Sequence, residues 1–393
     1  MEYKGSGIMS VALIDVREWQ KSFDLRTGRP VEVCGSVFEI VRDALGRHPY
    51  PGDMDELSNG WVTDTALDLV EAYDPRFAFL VYGHPYFAGR HLPMAEGVRR
   101  AMIAATFDEV DRFVRLSGFT PVIMGRGGMT PLKDFIDLSS FDGLGVSSHW
   151  SARYAGLHHP SGTDLRRCAK NPHIEMMVER RELLRLFKGT SVEAARTPEY
   201  LLVAEEGYAF KGLGSTLRPP LMVSAKNPFI PLWTGLGRAP SITDIRALVE
   251  ENLRSMKVAL IVVEGVGMAD VSRAAQPCRN GLEWYTYDPG DGQYLAVATG
   301  RHRFFDYPVG YKYYNEDSGE REFPFSGYFT SMPAGVLGQH FLGRSIAVGN
   351  KSMFMHTVTG ADLCIECFSR NLYNQGVMGV IHRQDKGVFG GGL

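Results

Sequence analysis

The sequence predicts an α/β fold: a mainly parallel sheet with helices on both faces, plus an aromatic-rich β insertion in the C-terminal third. Three observations carry this expectation. Short apolar runs bounded by turn residues recur at 10–15, 77–82, 120–124 and 257–263, the pattern of strands buried on both faces. Segments with apolar residues at helical spacing lie between them, and strand–helix–strand order implies crossover connections. At 393 residues, 44% hydrophobic and 22% charged, the chain has the make-up of an ordinary globular protein with a substantial core.

The elements follow in order. SVALID at 10–15 reads as a short strand. Residues 63–73 have helical periodicity, and Asp74-Pro75 ends them because the residue before a proline avoids the helical region. FAFLVY at 77–82 is a buried strand. Residues 94–116 form a long helical pattern through Ala101, Ile103, Ala105, Phe107, Val110 and Phe113, and TPVIM at 120–124 runs into Gly125-Arg126-Gly127-Gly128. Residues 141–163, rich in Gly, Ser and His, read as loop, 177–188 as a charged amphipathic helix, and 200–204 as a strand. Ser241 and Asp244 have capping-box spacing, predicting a helix to about Leu253, and 257–263 is the next strand. Residues 284–329 hold much of the Tyr and Phe, separated by Gly and Pro, which predicts a β-rich, pocket-forming insertion. Residues 357–383 read as a helix followed by a strand at 377–381. No period of 20–50 residues recurs, which excludes a repeat protein. Two regions result, 1–254 and 255–393, with the insertion at about 283–330.

Lys plus Arg number 42 and Asp plus Glu 45, a net charge of −3. That balance gives no electrostatic basis for nucleic-acid or membrane-surface binding. The N-terminus lacks the basic and long apolar regions of a signal peptide, and the longest apolar run is too short to span a bilayer. Five cysteines, an odd number, suit a reducing cytoplasm. Cys364 and Cys367 form a lone CxxC; structural zinc needs further ligands, so the pair reads as two small apolar residues one helical turn apart.

The segment order over about 6–253 resembles the alkaline phosphatase superfamily, in particular type I phosphodiesterases and phosphonoacetate-hydrolase-like enzymes. The resemblance is carried by Phe79-Leu-Val-Tyr-Gly-His-Pro-Tyr-Phe-Ala-Gly-Arg-His91, Phe107-Asp-Glu-Val-Asp-Arg-Phe113, Val122-Ile-Met-Gly-Arg-Gly-Gly-Met129 and Tyr200-Leu-Leu-Val-Ala-Glu-Glu-Gly-Tyr208. Lys257 to Gly267 is similar to the family's first strand, with Glu264 in its acidic place, and Thr357-Val-Thr359-Gly360 is loosely similar to its nucleophile loop, an order that implies circular permutation. Family members hold two metal ions on carboxylates and imidazoles. Here Arg126-Gly127-Gly128-Met129 stands in place of Asp-His-Gly-Met, Tyr86 and Arg90 in place of Asp-x-x-x-His, and Ser224 to Asn227 where a late His belongs. Arg and Gly side chains supply no metal ligands, so the resemblance implies the scaffold without the two-metal site.

The chemistry then falls to other groups. Arg90 and Arg126 at strand ends are candidate clamps for a carboxylate or phosphate, or else solvated loop residues. Gly349-Asn350-Lys351-Ser352, followed by His356 and Thr357, offers backbone N–H groups, a cation, hydroxyls and an imidazole to an anion. Asp362, Glu366 and Arg370 share one face if 362–371 is helical. The candidate reacting set is Glu264, Lys351, His356 and Thr357, with Arg90, Arg126, Asn350 and Ser352 binding substrate. One reading is a hydrolase or transferase acting on a small anion. A second is a binding or assembly protein on the same scaffold, and a third is an unrelated α/β enzyme whose aromatic insertion holds an organic ligand. The cofactor is left open, and the aromatic insertion and Gly-rich tail (387–392) leave homo-oligomerisation open.

Overall fold

The computed structural model describes residues 36–147, 153–189, 197–212, 218–288, 290–302 and 344–350. It also describes residues 194, 215 and 304, and strand segments 11–14, 23–24, 29–30, 363–366 and 379–382. The chain is an α/β protein organised on a mixed sheet. Its strand order is Gln276–Arg279, Phe229–Thr234, Thr120–Gly125, Val258–Val263, Phe77–Tyr82, Ser345–Gly349, Leu363–Glu366, Val11–Ile14 and Gly379–His382. The six strands from Thr120–Gly125 to Val11–Ile14 are parallel. Each flanking strand runs antiparallel to its inner neighbour. Val258–Val263 is inserted between Phe77–Tyr82 and Thr120–Gly125, so regions 1–254 and 255–393 share one sheet.

The two-residue period of a strand divides the apolar side chains between two cores. Phe77, Phe79, Val81, Val258, Leu260, Val262, Val122 and Met124 pack with Leu248 and Val249 of helix Ile245–Asn252 and Leu295 of helix Asp291–Thr299. Ala78, Leu80, Tyr82, Ala259, Ile261 and Val263 face the other way. There they meet helices Ser36–Arg47, Ser58–Tyr73 and Glu96–Ser117 through Leu45, Trp61, Leu69, Phe107 and Phe113. Among the described residues no helix is long and apolar enough to cross a membrane.

A second sheet, wholly antiparallel, has the order Ile174–Glu179, Tyr200–Ala204, Tyr154–His158, Leu144–Ser147. Two expectations are corrected here. Residues 141–163 are not all loop, because Leu144–Ser147 and Tyr154–His158 pair across their glycines. The helix expected over 177–188 begins only at Arg180 and ends at Phe187; Ile174–Glu179 is a strand because Tyr200–Ala204, buried from Leu201 onward, gives it a partner, and tertiary pairing outweighs propensity.

Two further corrections lie in the last third. Leu363–Glu366 is a strand between Ser345–Gly349 and Val11–Ile14, so Asp362, Glu366 and Arg370 do not form one helical face and Cys364 does not begin a helical turn. Within 284–329, the described part carries a two-residue strand, Tyr285–Thr286, and a helix, Asp291–Thr299. The uninterrupted run Tyr294-Leu-Ala-Val-Ala298 buries against the sheet, which favours a helix there. The capping box at Ser241 and Asp244 forms, opening a short 3-10 turn that leads into helix Ile245–Asn252.

Asn350, just past strand Ser345–Gly349, is fully buried. Its Oδ1 accepts from Gly83 N–H at 2.5 Å. Its Nδ2 donates to Ser58 Oγ at 3.0 Å and Asn59 Oδ1 at 2.9 Å. The side chain thus fastens the end of strand Phe77–Tyr82 to the start of helix Ser58–Tyr73. Replacing it strands buried partners, each at about 1–3 kcal/mol. Asn350→Ala is therefore expected to lower unfolding free energy by about 2–4 kcal/mol in urea titration, with or without small-molecule ligands.

Candidate functional site

The turns that follow three adjacent parallel strands carry the polar groups, as open α/β sheets favour. Glu264 N–H donates to Tyr82 O and Arg126 N–H to Val263 O, both at 3.0 Å. The ladder therefore continues one residue past the strands and sets the Arg126 and Glu264 side chains together. Both are wholly buried. Arg126 Nη1 donates to Glu264 Oε1, Nη2 to the Gly290 carbonyl, and Nε to Gln293 Oε1 at 2.6 Å. Tyr294 covers the pair: its ring centroid is 3.6 Å from the guanidinium carbon, and its hydroxyl donates to Glu264 Oε1 at 2.8 Å.

The network extends inward through amides. Gln293 Nε2 donates to Asn280 Oδ1 at 2.6 Å. Asn280 Nδ2 donates to the carbonyls of Asn227 and Tyr287 at 3.0 and 2.9 Å. Asn227 returns to the Arg-Gly-Gly turn, accepting from Gly128 N–H at 2.8 Å and donating to its carbonyl at 3.1 Å. Gly127, at φ +116°, is required here because a Cβ would sit 2.8 Å from Asn227 Nδ2. Gly265, at φ +73°, lets the turn after Glu264 touch helix His84–His91: a Cβ there would come within 2.9 Å of Tyr86 backbone. Tyr86 is buried, which holds its phenol above the ordinary value, and Arg90, Glu264, Arg126 and Asp288 all act on it electrostatically.

A cavity of about 250 Å³ opens beside this network. One wall is the inner face of the second sheet, where Tyr154, Gly156 and His158 alternate along their strand. Val146 and Leu201 flank Gly156 in register. The other wall is Tyr285, Tyr287, Asp288, Gly290, Gly292, Gln293 and Phe304. The rings form one cluster: Tyr154 stacks on Tyr285 at 4.9 Å between centroids, and Tyr287 meets Tyr285 edge-on at 5.2 Å. The Tyr154 hydroxyl donates to Thr286 O at 2.9 Å, and burial holds its phenol above the ordinary value. Gly290 and Gln293 belong to both the cavity wall and the Arg126 network. The ion pair therefore sits directly behind the wall.

The residues expected from the sequence are distributed as follows. Glu264 and Arg126 meet, with the Arg126 donors held by protein acceptors. Arg90 is buried on helix His84–His91 and donates to the Tyr86 hydroxyl at 3.1 Å. Asn350 directs its amide to Gly83, Ser58 and Asn59. Lys351, Ser352, His356 and Thr357 lie outside the described residues. Sequence reasoning missed Gln293, Tyr294, Asn280 and the bonding role of Asn227, along with Tyr154 and His158 on the cavity wall. The only available signal was a strand-like alternation at 154–158, obscured by its glycine.

Among the described residues no group of three or more His, Cys, Asp or Glu side chains is placed to hold a metal ion. No protein-family model, curated protein or solved structure matches the chain.

Two outcomes follow from this geometry. Arg126→Met or Glu264→Leu alone leaves a buried charge unpaired and is expected to cost about 3–5 kcal/mol in denaturant unfolding. The double variant removes both charges and should lose less than the sum of the singles, the deficit measuring their coupling. The second outcome concerns pH. Burial and the neighbouring Arg218 and Arg90 charges push the His91 imidazole down to about 4, and burial lowers that of His84. The unfolded chain, titrating near 6.5, then binds protons that the folded chain refuses. Stability is complete above about pH 6.5 and falls as pH drops toward 4, and His91→Gln should flatten that fall in pH-dependent thermal melts.

Proposed function

We propose that the protein binds a small, ring-bearing organic molecule in the aromatic-walled cavity, as an α/β enzyme or binding protein with an organic ligand. The single observation that carries this reading is the cavity itself: Tyr154, Tyr285, Tyr287 and Phe304 surround a space that reaches Gln293, beside the carboxyl ends of the parallel strands. Ligand sites in α/β folds concentrate at such ends, and their walls are mainly apolar with a few placed polar groups. Aromatic faces offer offset stacking and edge contacts to a bound ring. The Arg126–Glu264 pair fixes the Gly290–Gln293 wall from behind, which keeps the cavity preformed and lowers the ordering cost of binding.

A second reading, an anion-processing enzyme on an alkaline-phosphatase-like scaffold, rests on the neighbouring placement of Glu264 and Arg126 at strand ends, and it requires that this buried pair exchange its bonds to Gln293 and Gly290 for an anion. Competition separates the two readings: inorganic phosphate should displace a bound ring probe only if the second holds.

Filling the cavity tests the first reading. Val146 lines it from an edge strand, is half exposed, and faces Gly156, so Val146→Trp can cover the glycine without emptying the core. The expected result is unchanged thermal stability and at least about tenfold weaker binding of simple aromatic probes in ligand-observed NMR, a loss of about 1.4 kcal/mol. Undiminished probe binding by Val146→Trp would remove the cavity from the account.

A further inference from the structure

His158 occupies the end of the cavity remote from Tyr154. The two are four positions apart along one strand, roughly 13 Å at the usual rise. Asp288 lies on the opposite wall, next to Tyr287 in the chain. The imidazole is flanked by Glu199, within ion-pair range but beyond hydrogen-bond distance. Its Nδ1 lies 3.9 Å from Glu199 Oε2, and the strand register, Tyr200 opposite Leu157, brings Glu199 opposite His158. Glu199 is itself anchored, with Arg180 Nη2 3.0 Å from Oε1 and His159 N–H donating to Oε2 at 3.1 Å. His159 has a left-handed φ of +51°, uncommon for a residue with a side chain, and its N–H is the one bound by Glu199. On the cavity side, Nε2 lies over Gly156, 3.6 Å from where a Cβ would stand. Pro198 lies nearer still, 3.0 Å from that position, so with no side chain at Gly156 the proline and the imidazole border the same part of the cavity.

We propose that His158 selects the ligand through a hydrogen bond from Nε2 to a hydroxyl on the bound ring, with Glu199 as its positioning residue. The ligand class is a phenol. This inference rests on the cavity reading above. A phenolic hydroxyl can donate or accept, so it suits either imidazole tautomer. Of the two carboxylates nearby, Glu199 is already paired with Arg180, so Asp288 on the wall is the one that disfavours an anionic group in the same space. The aromatic rings between them match the ring that carries the hydroxyl.

The test compares p-cresol with toluene, two probes that differ by one hydroxyl, on the full-length chain by ligand-observed NMR titration. The wild-type protein is expected to prefer p-cresol. His158→Phe, which keeps a planar ring on the strand, should weaken p-cresol about tenfold and leave toluene unchanged. Glu199→Gln should reduce the p-cresol-to-toluene affinity ratio by a smaller factor, a readout that a purely structural role would not move. Thermal melts establish that each variant is folded. Equal losses for both probes in His158→Phe, or no loss for either, overturn the inference while leaving the cavity reading in place if Val146→Trp still weakens both. Failure of the wild-type protein to bind either probe, or binding undiminished by Val146→Trp, overturns both.

Discussion

A guanidinium and a carboxylate with no exposed surface must find their partners inside the protein, and the arrangement of this chain around Arg126 and Glu264 answers that demand. Isolated, either charge would cost several kcal/mol to desolvate. Together, under the Tyr294 ring and bonded to Gln293 and the Gly290 carbonyl, they are compensated. Satisfying them requires strand Val258–Val263 beside Thr120–Gly125, and helix Asp291–Thr299 laid over the same edge. Segments separated by 138 and 167 residues are thereby held in one register.

The same demand shapes the space beside it. Because Arg126 anchors Gly290 and Gln293, the start of helix Asp291–Thr299 becomes a fixed wall facing the second sheet. Asn280 and Asn227 carry the bonding back to the Arg-Gly-Gly turn, so the wall, the turn and the strand ends form one polar unit. The aromatic residues fill the remaining interface. Tyr285 alone meets the rings of Tyr154, Phe187, Trp284, Tyr287 and Phe304. Among the described residues, the space they leave beside Gly156 and Pro198 is the cavity.

Much of this fold was legible in the sequence, for a simple reason: a strand buried on both faces must be apolar at every position. FAFLVY and VALIVV are apolar at every position and are entirely buried. The helix over Glu96–Ser117 and the capping box at Ser241 were equally readable, since periodicity and caps are local signals. The strand at Leu363–Glu366 was not, because its pairing depends on neighbours far along the chain. Nor was helix Asp291–Thr299, whose aromatic surroundings point to strands. At the site, Arg126 and Glu264 were legible as strand-end residues. Their mutual bond was not, because it depends on Val258–Val263 entering between two earlier strands. Gln293 and His158 matter through what faces them, and a single sequence holds no trace of that.

The central claim is that the aromatic-walled cavity is where this protein meets its ligand. A crystallographic fragment screen tests it most directly. The account predicts ring-bearing fragments lying over Gly156, in contact with Tyr285 and Gln293, with any hydroxyl directed toward His158. Fragments that cluster reproducibly elsewhere, with this space holding only water, would contradict it.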